Sequence, residues 1–111
     1  MSAMPEMIED LFRGEIIDAP DVARVLGTSP RSVNRWVNAG SLPRRESEER
    51  LLELKAVIDL LREVLREEPA RLWIRTPNAT LDYEKPIDLI ERGEYRRVIG
   101  AIKSLAEGVT A

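Results

Sequence analysis

A chain of 111 residues is the size of one domain, or of two very small units sharing a core. Its 43% hydrophobic and 33% charged residues exclude a disordered tail, and the absence of cysteine and histidine removes disulfides, thiol chemistry and the commonest general base and metal ligand. The formal net charge is -3, so any contact with nucleic acid must come from a local concentration of basic residues.

Met7, Ile8, Leu11 and Phe12 recur at helical spacing and predict a first helix over 5–12, with Gly14 where it stops. Asp18 as a cap, Pro20 in the first turn and Asp21 near the positive helix end predict a second, short helix that Gly27 closes. Ser29 caps a third with Pro30 at its first position, running through Trp36 towards Gly40, and "GSLPRR" reads as a linker.

A long helix is expected from about Ser47 to Arg66. Its Leu51, Leu54, Val57, Ile58, Leu60, Leu61, Val64 and Leu65 span more than the usual ~100° stripe, so it should meet two surfaces and leave apolar area for self-association or a partner. "EEPARLWIRTPN" predicts a short helix ending near Thr76, ahead of Pro77. Pro86 opens another to Arg92, Gly93 breaks it, and Tyr95, Val98, Ile99, Ile102 and Leu105 mark a final amphipathic helix ending at Gly108. With no strand signal, the expected fold is all-α: a helix-turn-helix unit over 1–45, a connecting helix over 46–68 and a small C-terminal helical domain over 69–111. The N-terminus lacks a signal-peptide pattern and no apolar run approaches the ~18 residues of a membrane span, so the expected location is the cytoplasm, away from membrane.

Residues 19–38 match the geometric needs of a helix-turn-helix. Two closely crossing helices need a small residue at the contact, a glycine in the turn and apolar anchors at fixed offsets. Counting from Ala19, Ala23 is fifth, Leu26 eighth, Gly27 ninth, Val33 fifteenth and Trp36 eighteenth, with Val22 beneath. The outward positions of the third helix are then Arg31, Ser32, Asn34, Arg35 and Asn38. Arginine can bind guanine bidentately and asparagine adenine, each giving about 1–3 kcal/mol of discrimination. Ser29 and the N–H groups around it suit a phosphate. Between Arg24 and Arg45 lie five arginines and no acid, a basic window inside an acidic chain. So small a patch needs a dimer or larger assembly to reach useful affinity for operator DNA. Packing scaffold alone is the alternative for this unit.

The C-terminal residues Trp73, Pro77, Asn78, Leu81, Pro86, Asp88, Leu89, Gly93, Glu94 and Val98 form a pattern that resembles the C-terminal domain of the Xre/MbcA/ParS toxin-binding antitoxins. There a tryptophan precedes a Pro-Asn pair, a leucine, a proline-started helix and a glycine break, and a helix-turn-helix stands in front. The ending "AEGV" at 106–109 belongs to the same resemblance. The chain departs from it after the leucine, where many relatives carry a Gly-Gly pair and this sequence has Asp82, Tyr83, Glu84 and Lys85.

The resemblance implies the antitoxin of a type II toxin-antitoxin pair. Its partner would be a RES-domain toxin encoded next to it, an enzyme that consumes NAD and whose active-site entrance the antitoxin obstructs. It implies toxin contacts at Trp73, Pro77, Asn78, Leu81 and Tyr83 and at the tail Gly108, Val109, Thr110 and Ala111, and promoter DNA as a second target. A homodimer that also forms a hetero-oligomer with toxin fits both tasks. From the residues alone, Asn78 after Pro77 is a turn whose side chain can bond its own backbone, and Trp73 and Tyr83 are rings of the kind enriched at interfaces, although Trp73 reads equally well as core. The alternative function is a stand-alone dimeric repressor with no toxin partner. Catalysis is not expected, and no cofactor or metal: adjacent pairs such as Glu48-Glu49 and Glu67-Glu68 diverge by about 100° on a helix and cannot converge as acid and base, and no glycine-rich phosphate loop is present.

Overall fold

Capping chemistry sets several helix boundaries of this protein. The computed structural model describes residues 4–38 and 43–110, which form seven α-helices: α1 Met4–Phe12, α2 Ala19–Leu26, α3 Pro30–Asn38, α4 Arg45–Val64, α5 Glu67–Arg75, α6 Pro86–Glu91 and α7 Tyr95–Thr110. Single 3-10 turns occupy Arg13–Glu15 and Ala79–Leu81, and the only β feature among the described residues is one bridge between Asn78 and Glu84, so the fold is all-α. Most of the expected linker, 39–42, lies outside the described residues.

At the start of α2, Asp18 accepts from the Asp21 N–H at 2.9 Å while the Asp21 carboxylate accepts from the Asp18 N–H at 3.0 Å, a reciprocal cap of two orphan donors. The α2 end closes on Gly27 at φ 68°, where the Thr28 N–H reaches the Ala23 carbonyl at 2.8 Å; a left-handed residue there lets the chain turn straight into α3. Two boundaries differ from expectation. α4 stops at Val64, because continuing it would clash the Pro69 ring with the Leu65 carbonyl four residues back, and Leu65 is extended instead. α7 continues through Gly108 to Thr110, since Gly108 keeps helical backbone and never turns left-handed.

α4 is the axis of the molecule and packs against α1, α2, α5 and α7. Its Leu51, Leu54, Val57, Ile58 and Leu61 are buried in one core that is continuous with Ile8 and Leu11 of α1, Val33 and Trp36 of α3, Ile74 of α5 and Val98 and Ile102 of α7. The broad apolar arc is therefore taken up inside the chain. Little of it remains for association: Leu52, half exposed, is the one large exposed hydrophobic residue on this helix.

Basic side chains stitch the first fifteen residues to α4 and α5. Arg62 donates to the carbonyls of Asp10, Leu11 and Arg13 at 2.6, 3.2 and 2.8 Å, satisfying the otherwise unpaired end of α1. Lys55 pairs with Asp10 at 2.9 Å, and Arg71 donates to the carbonyls of Gly14 and Glu15, each at 2.9 Å. Arg75 binds the Ile16 carbonyl at 2.6 Å and ion-pairs with Asp21. Burial pushes the Asp21 carboxyl above its ordinary value, with the Asp18 N–H and then Arg75 working against that rise.

Candidate functional site

Two surfaces carry recognition chemistry, and they lie at opposite ends of α4. The first is the outer face of α3. Val33 and Trp36 turn inward and are buried, as are Val22 and Ala23 of α2, which anchors the helix in the expected register. Val25 fills the core where Leu26 was expected to; Leu26 is only partly buried. That register leaves Arg31, Asn34, Arg35 and Asn38 exposed and Ser32 half-buried, all on one helix.

Ser29 is exposed but occupied: its hydroxyl accepts the Ser32 N–H at 3.2 Å and so caps α3, and it can meet a phosphate only while holding that bond. Arg35 rests on the Ser32 hydroxyl at 3.3 Å, and Arg31 makes no hydrogen bond or ion pair among the described residues. Beside this face an open cleft of about 820 Å³ runs between the α2–α3 turn and the beginning of α4, lined by Thr28, Ser32, Arg35, Arg44 and Ser47 among others.

The basic window is smaller in space than in sequence. Arg24 faces α6, where its Nε donates to Glu91 at 2.7 Å and its Nη2 pairs with Asp88; those carboxylates, Asp88 first, raise the guanidinium pKa above its ordinary value. Arg50 of α4 reaches the same helix and caps it, donating to the carbonyls of Ile90 and Glu91 at 3.2 and 3.0 Å. Gly93, at φ 86°, follows: its left-handed backbone favours glycine, and a Cβ there, 2.9 Å from the Arg50 guanidinium, would push that side chain's end aside.

The second surface surrounds Trp73. At about 100° per residue, Ala70 and Ile74 place one stripe of α5 in the core, whereas Leu72 falls about 200° from Ala70 and is 64% exposed. Trp73, between them, is partly buried and forms the wall between two shallow hollows. One, about 540 Å³ and mainly apolar, is bounded by Leu65, Pro69, Leu72, Thr76, Pro77 and Leu105; the other, about 490 Å³, by Thr80, Ala101, Ser104, Leu105 and Gly108. Asn78 lines both.

Of the residues expected to touch a partner, Trp73, Pro77, Asn78 and Gly108 are thus brought together. Leu81 is a correction: at 2% exposure it sits in the core under this surface, where its turn packs on α7. The helix backbone carries Val109 and Thr110 on from Gly108, and Ala111 lies outside the described residues. The sequence reading missed Leu72, Pro69, Thr76 and Ala79, and it placed Leu65 and Leu105 on apolar helix faces without naming them as contacts. Leu72 had a readable signal, an apolar residue opposite the buried stripe of a nine-residue helix.

Past Leu81 the chain makes a tight reversal. The Asn78 carboxamide oxygen accepts the Thr80 N–H at 2.8 Å, the Asn78 carbonyl accepts the Leu81 and Tyr83 N–H groups at 2.9 and 2.8 Å, and the Asn78 N–H closes on the Glu84 carbonyl at 3.1 Å. Asp82 and Tyr83, the two residues after Leu81, are both left-handed, at φ 56° and 63°. Two consecutive residues with side chains in that region are strained. Ion pairs brace them: Arg92 grips both carboxylate oxygens of Glu84 at 2.9 and 2.7 Å, and Arg97 meets Asp82 at 3.2 Å and Glu94 at 3.1 Å. Arg92 first, then Arg97, hold Glu84 below its ordinary pKa, and Arg97 with Arg92 do the same to Glu94.

Among the described residues no group of acidic side chains could hold a metal ion, and no helix is long and apolar enough to cross a membrane.

The comparisons with known proteins bear on this second surface. Residues 56–104 match the family described as the antitoxin Xre/MbcA/ParS C-terminal toxin-binding domain. Over 89 residues the chain is 44% identical to the mycobacterial cidal antitoxin MbcA of Mycobacterium tuberculosis and of Mycobacterium bovis, covering 80% of this chain and 79% of each relative. It is 31% identical over 102 residues to a probable mycobacterial cidal antitoxin of M. tuberculosis, covering 85% and 87%. The fold matches a chain of the crystal structure of the M. tuberculosis MbcT-MbcA toxin-antitoxin complex, with a TM-score of 0.85, 36% identity and 98% of both chains covered. The chain belongs to the Xre/MbcA/ParS family of antitoxins.

Proposed function

We propose that this antitoxin neutralises a toxin encoded beside it by covering the toxin's active-site entrance with the surface formed by α5, the 77–84 reversal and the end of α7. The partner is a RES-domain enzyme that consumes NAD, which makes the pair a type II system, and residues 108–111 enter the cleft that the body of the surface frames. The observation that carries this reading is the exposed apolar ground around Trp73, with Leu72 and the 540 Å³ hollow, on a chain whose relatives are antitoxins and include one solved with its toxin. A 64% exposed leucine beside a tryptophan-walled hollow is apolar area that a protein partner would remove from water.

The test is co-expression. The neighbouring gene product, toxic alone, becomes harmless with the full chain and co-purifies with it; Leu72→Asp abolishes both. Retention of both by that variant overturns the reading.

The same chain regulates its own operon through α3, with Arg31, Asn34, Arg35 and Asn38 at base edges and Ser29 and Ser32 near phosphate, as a homodimer that assembles further with toxin. Support comes from the register of Val33 and Trp36, which turns those four side chains to solvent together. Mobility shift on the operon's own promoter, with Arg31→Ala as control, tests it.

A further inference from the structure

The Asp82-Tyr83 pair holds a conformation that glycine would adopt without strain, in a reversal otherwise satisfied by its own bonds. The Asn78 and Glu84 backbones close it, Leu81 plugs it into the core, and two arginines brace its carboxylates. Among the described residues nothing rewards a tyrosine there. Tyr83 is 75% exposed, the most exposed large hydrophobic residue among the described residues, where its hydroxyl also makes no hydrogen bond. Side chains at strained left-handed positions persist where the surroundings fix them, and such positions concentrate at binding sites.

We infer that Tyr83, carried on this braced turn, is an anchor that enters an apolar pocket on the toxin. This deepens the proposed function and rests on its claim that the C-terminal surface binds a protein. The position is contiguous with that surface: the Tyr83 N–H bonds the carbonyl of Asn78, which with Trp73 and Leu105 lines both hollows. A ring carried on a braced turn loses little freedom on binding, which favours an aromatic hot spot over a flexible one. The charges around it cancel. Asp82, Glu84 and Glu94 face Arg92 and Arg97, with Lys85 alongside, so recognition by the ring calls for an apolar pocket rather than a charged one or a phosphate backbone.

The test uses the full chain and the toxin encoded beside it, with calorimetric titration and thermal melting of Tyr83→Gly, Tyr83→Ala, Tyr83→Phe and Leu72→Asp. Tyr83→Gly and Tyr83→Ala should each weaken binding about tenfold or more, with Tyr83→Phe near wild type because the ring is the anchor. Tyr83→Gly should melt above Tyr83→Ala, since only glycine relieves the left-handed strain. If Tyr83→Ala binds as wild type while Leu72→Asp does not, the anchor is refuted and the toxin-binding surface stands. If Leu72→Asp also binds as wild type, the surface itself is refuted. A Tyr83→Phe loss equal to that of Tyr83→Ala refutes the ring as anchor, and Tyr83→Gly melting below Tyr83→Ala refutes the strain.

Discussion

The outer face of α3 and the ground around Trp73 offer a partner different physics. On α3, the exposed side chains are Arg31, Asn34, Arg35 and Asn38, polar groups that gain little from leaving water unless a base edge or phosphate answers them. Around Trp73 the large exposed hydrophobic side chain is Leu72 and the hollow is walled by Leu65, Pro69 and Leu105, groups whose reward is removal from water at about 25 cal/mol per Å². α4 separates them: Ser47 lines the cleft beside α3 and Leu65 the hollow beside Trp73, eighteen residues or about 27 Å of helix apart. Sites so distant, sharing no side chain, should respond independently to mutation. A rigid all-helical body can thus carry a salt-sensitive and a salt-insensitive surface without either compromising the other.

The largest effect that could break this comparison is Leu72→Asp. A charge at the centre of an apolar interface costs about 2–4 kcal/mol of binding, some thirtyfold to a thousandfold in toxin affinity, and should leave promoter binding and melting temperature unchanged. Surface plasmon resonance against toxin and promoter in parallel decides it; equal loss on both would mean the two ends are coupled.

Next in size are Arg31→Ala and Arg35→Ala. Each should cost about 1–3 kcal/mol of operator affinity if it reads a base, and removing a guanidinium that binds phosphate should flatten the dependence of log affinity on log salt by about 0.9. Toxin binding should be flat from low to high salt and indifferent to both variants. Deletion of 108–111 comes third. It removes only the end of α7 and Ala111, so toxin binding should persist at reduced affinity while inhibition of the toxin's activity falls further, a split readable by comparing titration with turnover.

The sequence carried the helices well because capping leaves local marks. Asp18 with Asp21, Gly27, Ser29 with Pro30, and Pro86 with Gly93 each fix a boundary through bonds within a few residues. It carried the outer face of α3 for the same reason, since Val33 and Trp36 define that helix's orientation by spacing alone. Packing between distant parts of the chain left no local mark. Arg24 looked like part of a DNA-binding window until α6 brought Asp88 and Glu91 to it, and Leu81 looked like an interface leucine until α7 covered it. Long-range packing also reassigned α4, whose wide apolar arc is consumed by α1, α2, α5 and α7.

The smallest expected effect concerns acid, and it sharpens the contrast between the two regions by sign. Glu84 and Glu94 are held below their ordinary value of 4.5 by Arg92 and Arg97, so the stability they contribute is fully present above that value and is lost as pH falls through their depressed folded-state pKa. Asp21, at the seam between α2 and α5, is shifted the other way: burial makes its ionised form costly, and that cost is relieved as pH falls through its raised pKa. Acid should therefore loosen the Tyr83 turn while sparing the α2–α5 seam. Arg92→Met removes the brace at neutral pH, so its melting temperature should lie slightly below wild type at pH 7, and the two should converge well below pH 4.5, where wild type has given up the same pairs. Amide exchange of Asp82, Tyr83 and Glu84 reports the same change locally. Divergence of the two proteins on acidification, or faster exchange at Asp21 and Val22 before the turn, would mean that Arg92 and its carboxylates do not brace the reversal.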